Sequence, residues 1–249
     1  MSMDAWDGLS FKIVDFAALP STQDEARRWL EAGEDVHGVV VRAASQSAAR
    51  GQRARDWSAG VGGSYQTLIV REAGLRGPSQ PQAAVVLALG LAQTLQRYGV
   101  QVGLKWPNDL YYRGKKLAGV LVEGVRGHLL VGVGLNVANE VPEGAVGLRG
   151  WDVEGAHMVV LEGLQSGLIH LADPGFRLPD AYAPFDLLLG QALALQSGGA
   201  VRAGTGAGVD AQGRLQVRER GGVTSYAGAR LLRFSLRAAP VPTRSARRL

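Results

Sequence analysis

Three of the four lysines in the chain lie in one short stretch, at Lys105, Lys115 and Lys116. The chain is otherwise biased toward arginine, because its 27 basic residues include only one other lysine. Lysine presents a compact point charge, whereas arginine presents a planar fork of donors. The clustering therefore indicates that compact cations are needed at this place in the protein.

The first of these lysines begins the run Lys105-Trp106-Pro107-Asn108-Asp109. A strand is predicted to end at the proline, and polar groups follow where the chain leaves the sheet. The next hairpin returns with Lys116 near its start, and Gly119 in its apolar strand permits close backbone approach. The alternative is a surface turn with solvated charges, but a generic turn does not require tryptophan, proline, asparagine and aspartate together.

A second candidate segment spans residues 44–63 and has no hydrophobic period. It contains Arg50, Arg53, Arg55 and several glycines. Long loops inside compact domains are usually functional. The alternative is an arginine-rich surface loop, and the segment alone does not decide between the two.

The sequence excludes several kinds of site. It has no cysteine, so it has neither disulfides nor thiolate chemistry. Its four histidines show no metal-ligand spacing, so any metal would be a hard cation held by oxygens. There is no Walker loop, no Gly-x-Ser-x-Gly elbow and no His-Glu-x-x-His motif.

Composition favours a soluble protein with a sizeable core, since 46% of its 249 residues are hydrophobic. No apolar run reaches the length of a membrane span, and Asp4, Asp7 and Asp15 do not suit a signal peptide, so we expect a cytoplasmic protein. The net charge of +5 comes from basic residues interspersed with acidic ones, which favours a merely basic composition over nucleic-acid binding.

Hydrophobic periodicity then gives the elements that must position these residues. Strands are predicted over 9–16, 36–43, 65–70, 102–106, 109–112, 116–123 and 128–137. Helices are predicted from the capping residues Thr22 and Glu25 to Gly33, over 82–98 and over 156–171. Strands 102–137 read as a β-meander with turns at Arg113-Gly114 and Arg126-Gly127.

From Phe185 the pattern changes to short strands between glycine-rich turns, over 191–196, 200–209, 214–219, 222–226 and 230–236. Five short strands in so few residues predict a small barrel. We therefore divide the chain into a large domain, 1–184, a small domain, 185–238, and a disordered tail, 239–249.

The lysine-containing pair of segments closely resembles the signature of the biotin protein ligases, also called biotin–[acetyl-CoA-carboxylase] ligases. Gly132-Val133-Gly134-Leu135-Asn136-Val137 resembles the next core strand of that family, and Ser21-Thr22-Gln23 resembles its Ser-Thr-Asn. The 46–57 segment resembles its ligand-covering loop, with matches at Gln46, Arg50, Gly51, Arg55 and Trp57. Ala49, Gln52, Ala54 and Ser64 depart from the family pattern.

The resemblance implies an α+β fold, in which a mixed β-sheet is backed by helices and a small SH3-like β-barrel lies at the C-terminus. It implies a two-step reaction with biotin, ATP and Mg²⁺. Biotin's carboxylate attacks the α-phosphorus of ATP to give biotinyl-5′-AMP and pyrophosphate, and a lysine of a biotin carboxyl carrier protein, an acetyl-CoA carboxylase subunit, then displaces AMP. Two anions meet in the first step, so fixed cations are needed.

The resemblance also implies roles for particular residues. Lys116 is the expected cation at the carboxylate–phosphate junction, Arg50 and Arg55 are expected to bind phosphate, and Asp109 with Asn108 is expected to position Mg²⁺. The biotin ureido group is assigned to Ser21, Thr22 and Gln46, and Trp57 is expected to shield the adenylate. The remaining expected substrate-binding residues are Gln23, Gly51, Gln52, Gly119, Gly132, Gly134 and Asn136.

Several alternatives remain open at this point. They are a lipoate- or octanoate-handling ligase of the same superfamily, a degenerate paralogue that binds biotin without turnover, and a basic nucleic-acid-binding module. The chain begins almost at the catalytic domain, so we expect the form that lacks the N-terminal DNA-binding domain, with no DNA or membrane partner. The sequence leaves open whether the protein is a monomer or a homodimer.

Overall fold

A computed structural model describes residues 10–52, 55–73, 75 and 79–237. Its largest element is a seven-stranded mixed sheet with the strand order β1-β2-β3-β7-β6-β5-β4. β1 pairs with β2 in parallel, and all other neighbours in this sheet are antiparallel. The strands of this sheet are β1 Lys12–Phe16, β2 Val39–Ala43, β3 Ser64–Arg71, β4 Val102–Lys105, β5 Asp109–Tyr112, β6 Lys115–Val125 and β7 His128–Leu135.

Helices cover both faces of this sheet. α1, Thr22–Glu31, connects the parallel strands β1 and β2 and covers one face. α2, Gln80–Arg97, and α3, Val153–Ala172, pack together against the other face. Successive β3 residues accordingly point to opposite faces of the sheet, with Leu68 on the α2–α3 side and Ile69 on the α1 side. A short helix, α4, spans Leu178–Tyr182.

Three glycines let α2 and α3 approach closely. A Cβ added at Gly90 of α2 would lie 2.5 Å from the carbonyl oxygen of Gly163 and 2.5 Å from the amide nitrogen of Gly167, both on α3. The helices are therefore in backbone contact, which only residues without a side chain allow. This contact seals the core on the side of the sheet opposite α1.

The first helix begins one residue earlier than its sequence pattern indicates. Ser21, not Thr22, is the N-cap, and its Oγ accepts a hydrogen bond from the amide of Asp24. Thr22 instead begins the helix, with its side chain turned into the protein. The capping-box interpretation of Thr22 and Glu25 is therefore wrong.

The C-terminal strands form a second, antiparallel sheet with the order β11-β10-β9-β8-β12. They are β8 Ala192–Ser197, β9 Ala200–Val209, β10 Leu215–Glu219, β11 Gly222–Tyr226 and β12 Arg230–Phe234. Within the described residues no pairing joins the edge strands β11 and β12, so the SH3-like region is an open five-stranded sheet, not a closed barrel.

The two sheets meet at residues 185–187. The amide of Leu104 donates to Phe185, and the amide of Leu187 donates back to Leu104, so this segment continues the large sheet beyond β4. Asp186 is fully buried in this junction, with Oδ1 accepting from the amide of Leu188 and Oδ2 without a partner among the described atoms. Burial raises the pKa of Asp186 to about 6.

The α+β fold, the meander and the helices are as the sequence predicts, while element ends differ by a few residues. α4 was not predicted. The division at residue 184 stays a prediction, because side chains of both sheets belong to one apolar cluster. The predicted tail, 239–249, lies outside the described residues. Within the described part of the chain, no helix is both long and apolar enough to cross a membrane.

We predict that Gly90→Ala lowers the free energy of unfolding by about 1–3 kcal/mol, because the added methyl forces the two helix backbones apart. Alanine by itself would favour the helix by about 1 kcal/mol. Urea unfolding measures the difference. Met158→Ala, on an exposed position of α3, is the control and should stay within about 0.5 kcal/mol of wild type. An unchanged or raised stability of Gly90→Ala would show that the helices are not in close contact.

A second prediction concerns the buried carboxyl of Asp186. Its pKa rises on folding from 3.8 to about 6, so the folded protein holds this proton to higher pH and loses stability as pH rises through that window. Asp186→Asn removes this ionisation and keeps an acceptor for Leu188. At pH 8 the variant should gain about 2–3 kcal/mol over wild type, and the gain should disappear near pH 4. A difference that is the same at both pH values in urea unfolding would refute the assignment.

Candidate functional site

A solvent-accessible cavity lies on the side of the large sheet that α1 covers. Its walls come from α1, the 46–57 segment, the β4–β5 turn, β6, β7 and the start of β12. The lining residues are Ser21, Thr22, Gln23, Gln46, Ala49, Arg50, Gly51, Gln52, Arg55, Asp56, Trp57, Thr67, Lys105, Trp106, Pro107, Asn108, Asp109, Lys116, Gly119, Val120, Leu121, Gly132, Val133, Gly134, Ala229, Arg230 and Leu231.

One end of the cavity carries a network of neutral polar side chains. Gln46 Oε1 accepts from the amide of Thr22 at 2.7 Å and from its hydroxyl at 3.2 Å. Thr67 Oγ1 lies 2.9 Å from Thr22 Oγ1 and 3.1 Å from Gln23 Oε1. Gln23 Nε2 donates to the carbonyl of Leu130. These buried groups hold each other in fixed orientations, which suits recognition of a neutral polar ligand group.

The other end of the cavity carries charged side chains. A β-bulge turns one of them, Lys116, toward the cavity. Between β5 and β6, Leu110 pairs with Ala118 but Tyr111 pairs with Lys116, so Leu117 is an extra residue in β6. Successive side chains of a strand point to opposite faces, and a bulge reverses this alternation. Lys116 therefore points to the same face as Gly119, into the cavity, which an unbroken strand would not allow. Lys115 is exposed.

Asp109 lies between two ammonium groups. Its Oδ1 is 2.6 Å from Lys116 Nζ and its Oδ2 is 3.2 Å from Lys105 Nζ. Lys105 and Asp109 are directly opposite each other in the β4–β5 pair. The three side chains have a net charge of +1 and all line the cavity, so this end can bind an anion.

Two glycines of β7 make room for the side chains that face them. A Cβ at Gly132 would lie 2.6 Å from Gln23 Oε1, and a Cβ at Gly134 would lie 2.6 Å from Trp57 Cε2. The Trp57 ring therefore lies directly on the backbone of β7, and Lys116 Nζ is 5.1 Å from its centroid. Trp57 Nε1 is buried against β7, without a partner among the described residues.

The 46–57 segment is predicted as a loop, and its two described parts, 46–52 and 55–57, run antiparallel to each other. The amide of Gln46 donates to Ala59, that of Trp57 to Ala49, and that of Gly51 to Arg55. Arg50 is turned toward acidic residues, with Nη1 2.7 Å from Asp24 Oδ2 and Nη2 3.6 Å from Glu123 Oε2.

These contacts join the guanidinium of Arg50 to α1, through Asp24, and to β6, through Glu123. The hydrogen bond with Asp24, together with the nearby Glu123, raises the pKa of Arg50. To bind a phosphate, as the sequence predicts, Arg50 has to exchange these carboxylates for the ligand. Arg53 lies outside the described residues.

Most residues proposed from the sequence line this cavity, but Asn136 does not. Asn136 is buried, and its Oδ1 accepts from Nδ2 of Asn139 behind the β7 strand end. Sequence reasoning missed Thr67, Lys105 and Arg230. Lys105 was visible as part of the lysine cluster, whereas nothing in the pattern of β12 indicates that it reaches a site formed mainly by the first 134 residues.

The arrangement does not fit a magnesium ion held by protein ligands. Both oxygens of Asp109 face ammonium groups, and Asn108 Nδ2 donates to the carbonyl of Val120. In the described part of the chain no three Asp, Glu or His side chains are grouped as a metal site requires. The positioning of Mg²⁺ or of its water shell by Asp109 with Asn108 stays a prediction.

Known proteins are similar to this chain in both sequence and fold. A sequence model of the biotin/lipoate A/B protein ligase family matches residues 16–138. The biotin–[acetyl-CoA-carboxylase] ligase of Mycobacterium tuberculosis is 32% identical over an alignment of 201 residues that covers 74% of each chain. The bifunctional ligase/repressor BirA of Escherichia coli is 36% identical over an alignment of 131 residues that covers 48% of this chain and 39% of BirA.

Among solved structures, the biotin protein ligase from Aquifex aeolicus in complex with biotin and ATP superposes with a TM-score of 0.78. The two proteins are 25% identical, and the superposition covers 92% of this chain and 99% of the other. By sequence and by fold, the chain belongs to the biotin/lipoate A/B protein ligase family, as a relative of its biotin protein ligases.

Proposed function

We propose that this protein is a biotin protein ligase, which activates biotin with ATP as biotinyl-5′-AMP and transfers it to a lysine of a biotin carboxyl carrier protein. The observation that carries the proposal is the division of the cavity into a neutral polar end and a cationic end. Biotin has a neutral ureido group and a carboxylate, and the carboxylate must meet the α-phosphate of ATP. The relatives named above act on biotin, and one of them is known in complex with biotin and ATP.

At the polar end, Thr22, Gln46 and Gln23 present donors and acceptors to the ureido group. Their mutual hydrogen bonds fix them before the ligand arrives, so little ordering cost remains for binding. The absence of a side chain at Gly132 leaves the space that Gln23 occupies. Ser21 completes the turn that holds this end of α1 against the cavity.

At the cationic end, Lys116 supplies the charge at the carboxylate–phosphate junction. In the ligand-free protein Lys116 pairs with Asp109. On binding, it therefore exchanges this ion pair for the ligand and does not have to lose a full hydration shell. Arg55 and Arg230 add positive charge at the rim. Magnesium enters as Mg-ATP and is held mainly by phosphate oxygens and water, as is usual for this ion.

Incubation with biotin, Mg-ATP and a biotin carboxyl carrier domain tests the proposal. Mass spectrometry should show one biotinyl group on the carrier, and pyrophosphate should appear without carrier as the first step proceeds. Lipoate and octanoate in place of biotin test the neighbouring specificities of the family. Modification of the carrier by either of these, with none by biotin, would refute the assignment to biotin.

Lys116→Ala should lower the rate of pyrophosphate release by about 10²–10³-fold, by analogy with the loss of one charge-stabilising donor at other active sites. The side chain is partly exposed, and among the described residues its ion pair is with Asp109, so the variant should remain folded. Lys115→Ala is the matched control, because the ammonium group of Lys115 is exposed on the other side of the strand. The rate of this variant should be close to that of the wild type. Near-normal pyrophosphate release by Lys116→Ala would remove this lysine from the mechanism.

Gln52 lines the cavity where the family pattern has arginine, so one charge-assisted contact to the adenylate phosphate is missing. Such a contact is worth roughly 1.5–3 kcal/mol, so adenylate should escape about tenfold faster or more. We expect an active enzyme that also labels exposed lysines of bystander proteins, and Gln52→Arg should reduce that labelling. The two proteins are compared at equal adenylation rates by mass spectrometry of added albumin. Equal labelling would show that charge at position 52 does not control retention.

A further inference from the structure

Lys105, on the opposite side of Asp109 from Lys116, has an aromatic contact that comes from the second sheet. Its Nζ lies 4.8 Å from the ring centroid of Phe234 on β12 and 5.7 Å from that of Tyr111 on β5. Cations within about 6 Å of a ring centroid are attracted by the ring. The side chain of Lys105 is only 13% exposed, so water screens this attraction little.

Phe234 is itself held firmly. It pairs with Leu193 across β12 and β8 and packs against the main apolar cluster. The same β12 strand brings Leu231 and Arg230 to the cavity. The position of Lys105 is therefore fixed from one side by the large sheet, through Tyr111, and from the other side by the small sheet, through Phe234.

The position of Lys105 affects Lys116 because the two ammonium groups share one carboxylate. While Lys105 neutralises Oδ2 of Asp109, the attraction of Asp109 for Lys116 is partly offset. If Lys105 leaves, the whole charge of Asp109 acts on Lys116 at 2.6 Å and holds it back from an anionic ligand. Among the described residues, the salt bridges of Asp109 are with these two lysines.

We propose that Phe234 is a positioning residue for the cationic site, acting through Lys105 and Asp109 on the availability of Lys116. The inference rests on the proposed function and deepens it, because it gives the C-terminal sheet a task in the adenylation step. The ring of Phe234 keeps one ammonium on Asp109, so that the other can exchange Asp109 for the phosphate of the nucleotide. Phe234 does not touch the reacting atoms.

The test is a double-mutant cycle between Phe234→Leu and Lys105→Met. Leucine keeps an apolar side chain on β12 but removes the ring, and methionine keeps the alkyl chain but removes the ammonium. Affinity for Mg-ATP without biotin and pyrophosphate release with biotin are both measured. Phe234→Leu should weaken both by roughly 2- to 30-fold, the range expected for one cation–π contact.

The decisive result is non-additivity. In the Lys105→Met background, Phe234→Leu should cause no further loss, because the ammonium through which the ring acts is already gone. Phe234→Tyr, which keeps the ring, should restore both properties to within about twofold of wild type. Leu232→Ala, at an exposed position of the same strand, is the control for general damage to β12 and should change neither property.

Additive losses in the cycle, or a Phe234→Tyr variant as impaired as Phe234→Leu, would overturn the inference and show that Phe234 only packs. Failure of the proposed function looks different, since the wild type would then release no pyrophosphate with biotin. In that case Mg-ATP affinity alone decides the inference, and the same non-additivity and rescue are required.

Discussion

The carboxylate of Asp109 is the interaction on which the rest of the site depends. A buried cluster of two ammonium groups without a counter-ion would repel itself, and a single lysine bound to a single aspartate would be neutral and poor at attracting phosphate. Two lysines on one carboxylate leave one unit of positive charge that is held in place. The fold has to bring β4, β5 and β6 together in one register to achieve this, and the two tight turns and the meander do so.

The bulge at Leu117 changes the register between β5 and β6 at the site itself. It places Lys116 beside Asp109, while the strand on its far side continues with the regular apolar alternation that packs against α2. The glycines of β7 provide the complementary surface, because their missing side chains leave space for Gln23 at the polar end and for Trp57 at the cationic end. Polar recognition and charge are thus separated along one strand by two residues.

Much of this organisation could be read from the sequence, because it depends on local signals. The Arg113-Gly114 turn, the apolar run after Lys116 and the cap at the start of α1 are encoded within a few residues, even though the capping residue is Ser21 and not Thr22. What could not be read depends on contacts between distant segments. No local pattern reveals the bulge at Leu117, since Leu117 is as apolar as its neighbours.

The same limit explains the departures in the second half of the chain. A run of short strands predicts a small all-β unit, but whether its edges close depends on how it docks, and here the segment 185–187 is used to extend the large sheet. Docking also decides that Phe234 meets Lys105, about 130 residues away in sequence. The one buried carboxyl at the junction, Asp186, costs stability where the sheets join. The contribution of the second sheet to the cavity comes from other residues, because β12 brings Phe234 to Lys105 and Arg230 to the cavity wall.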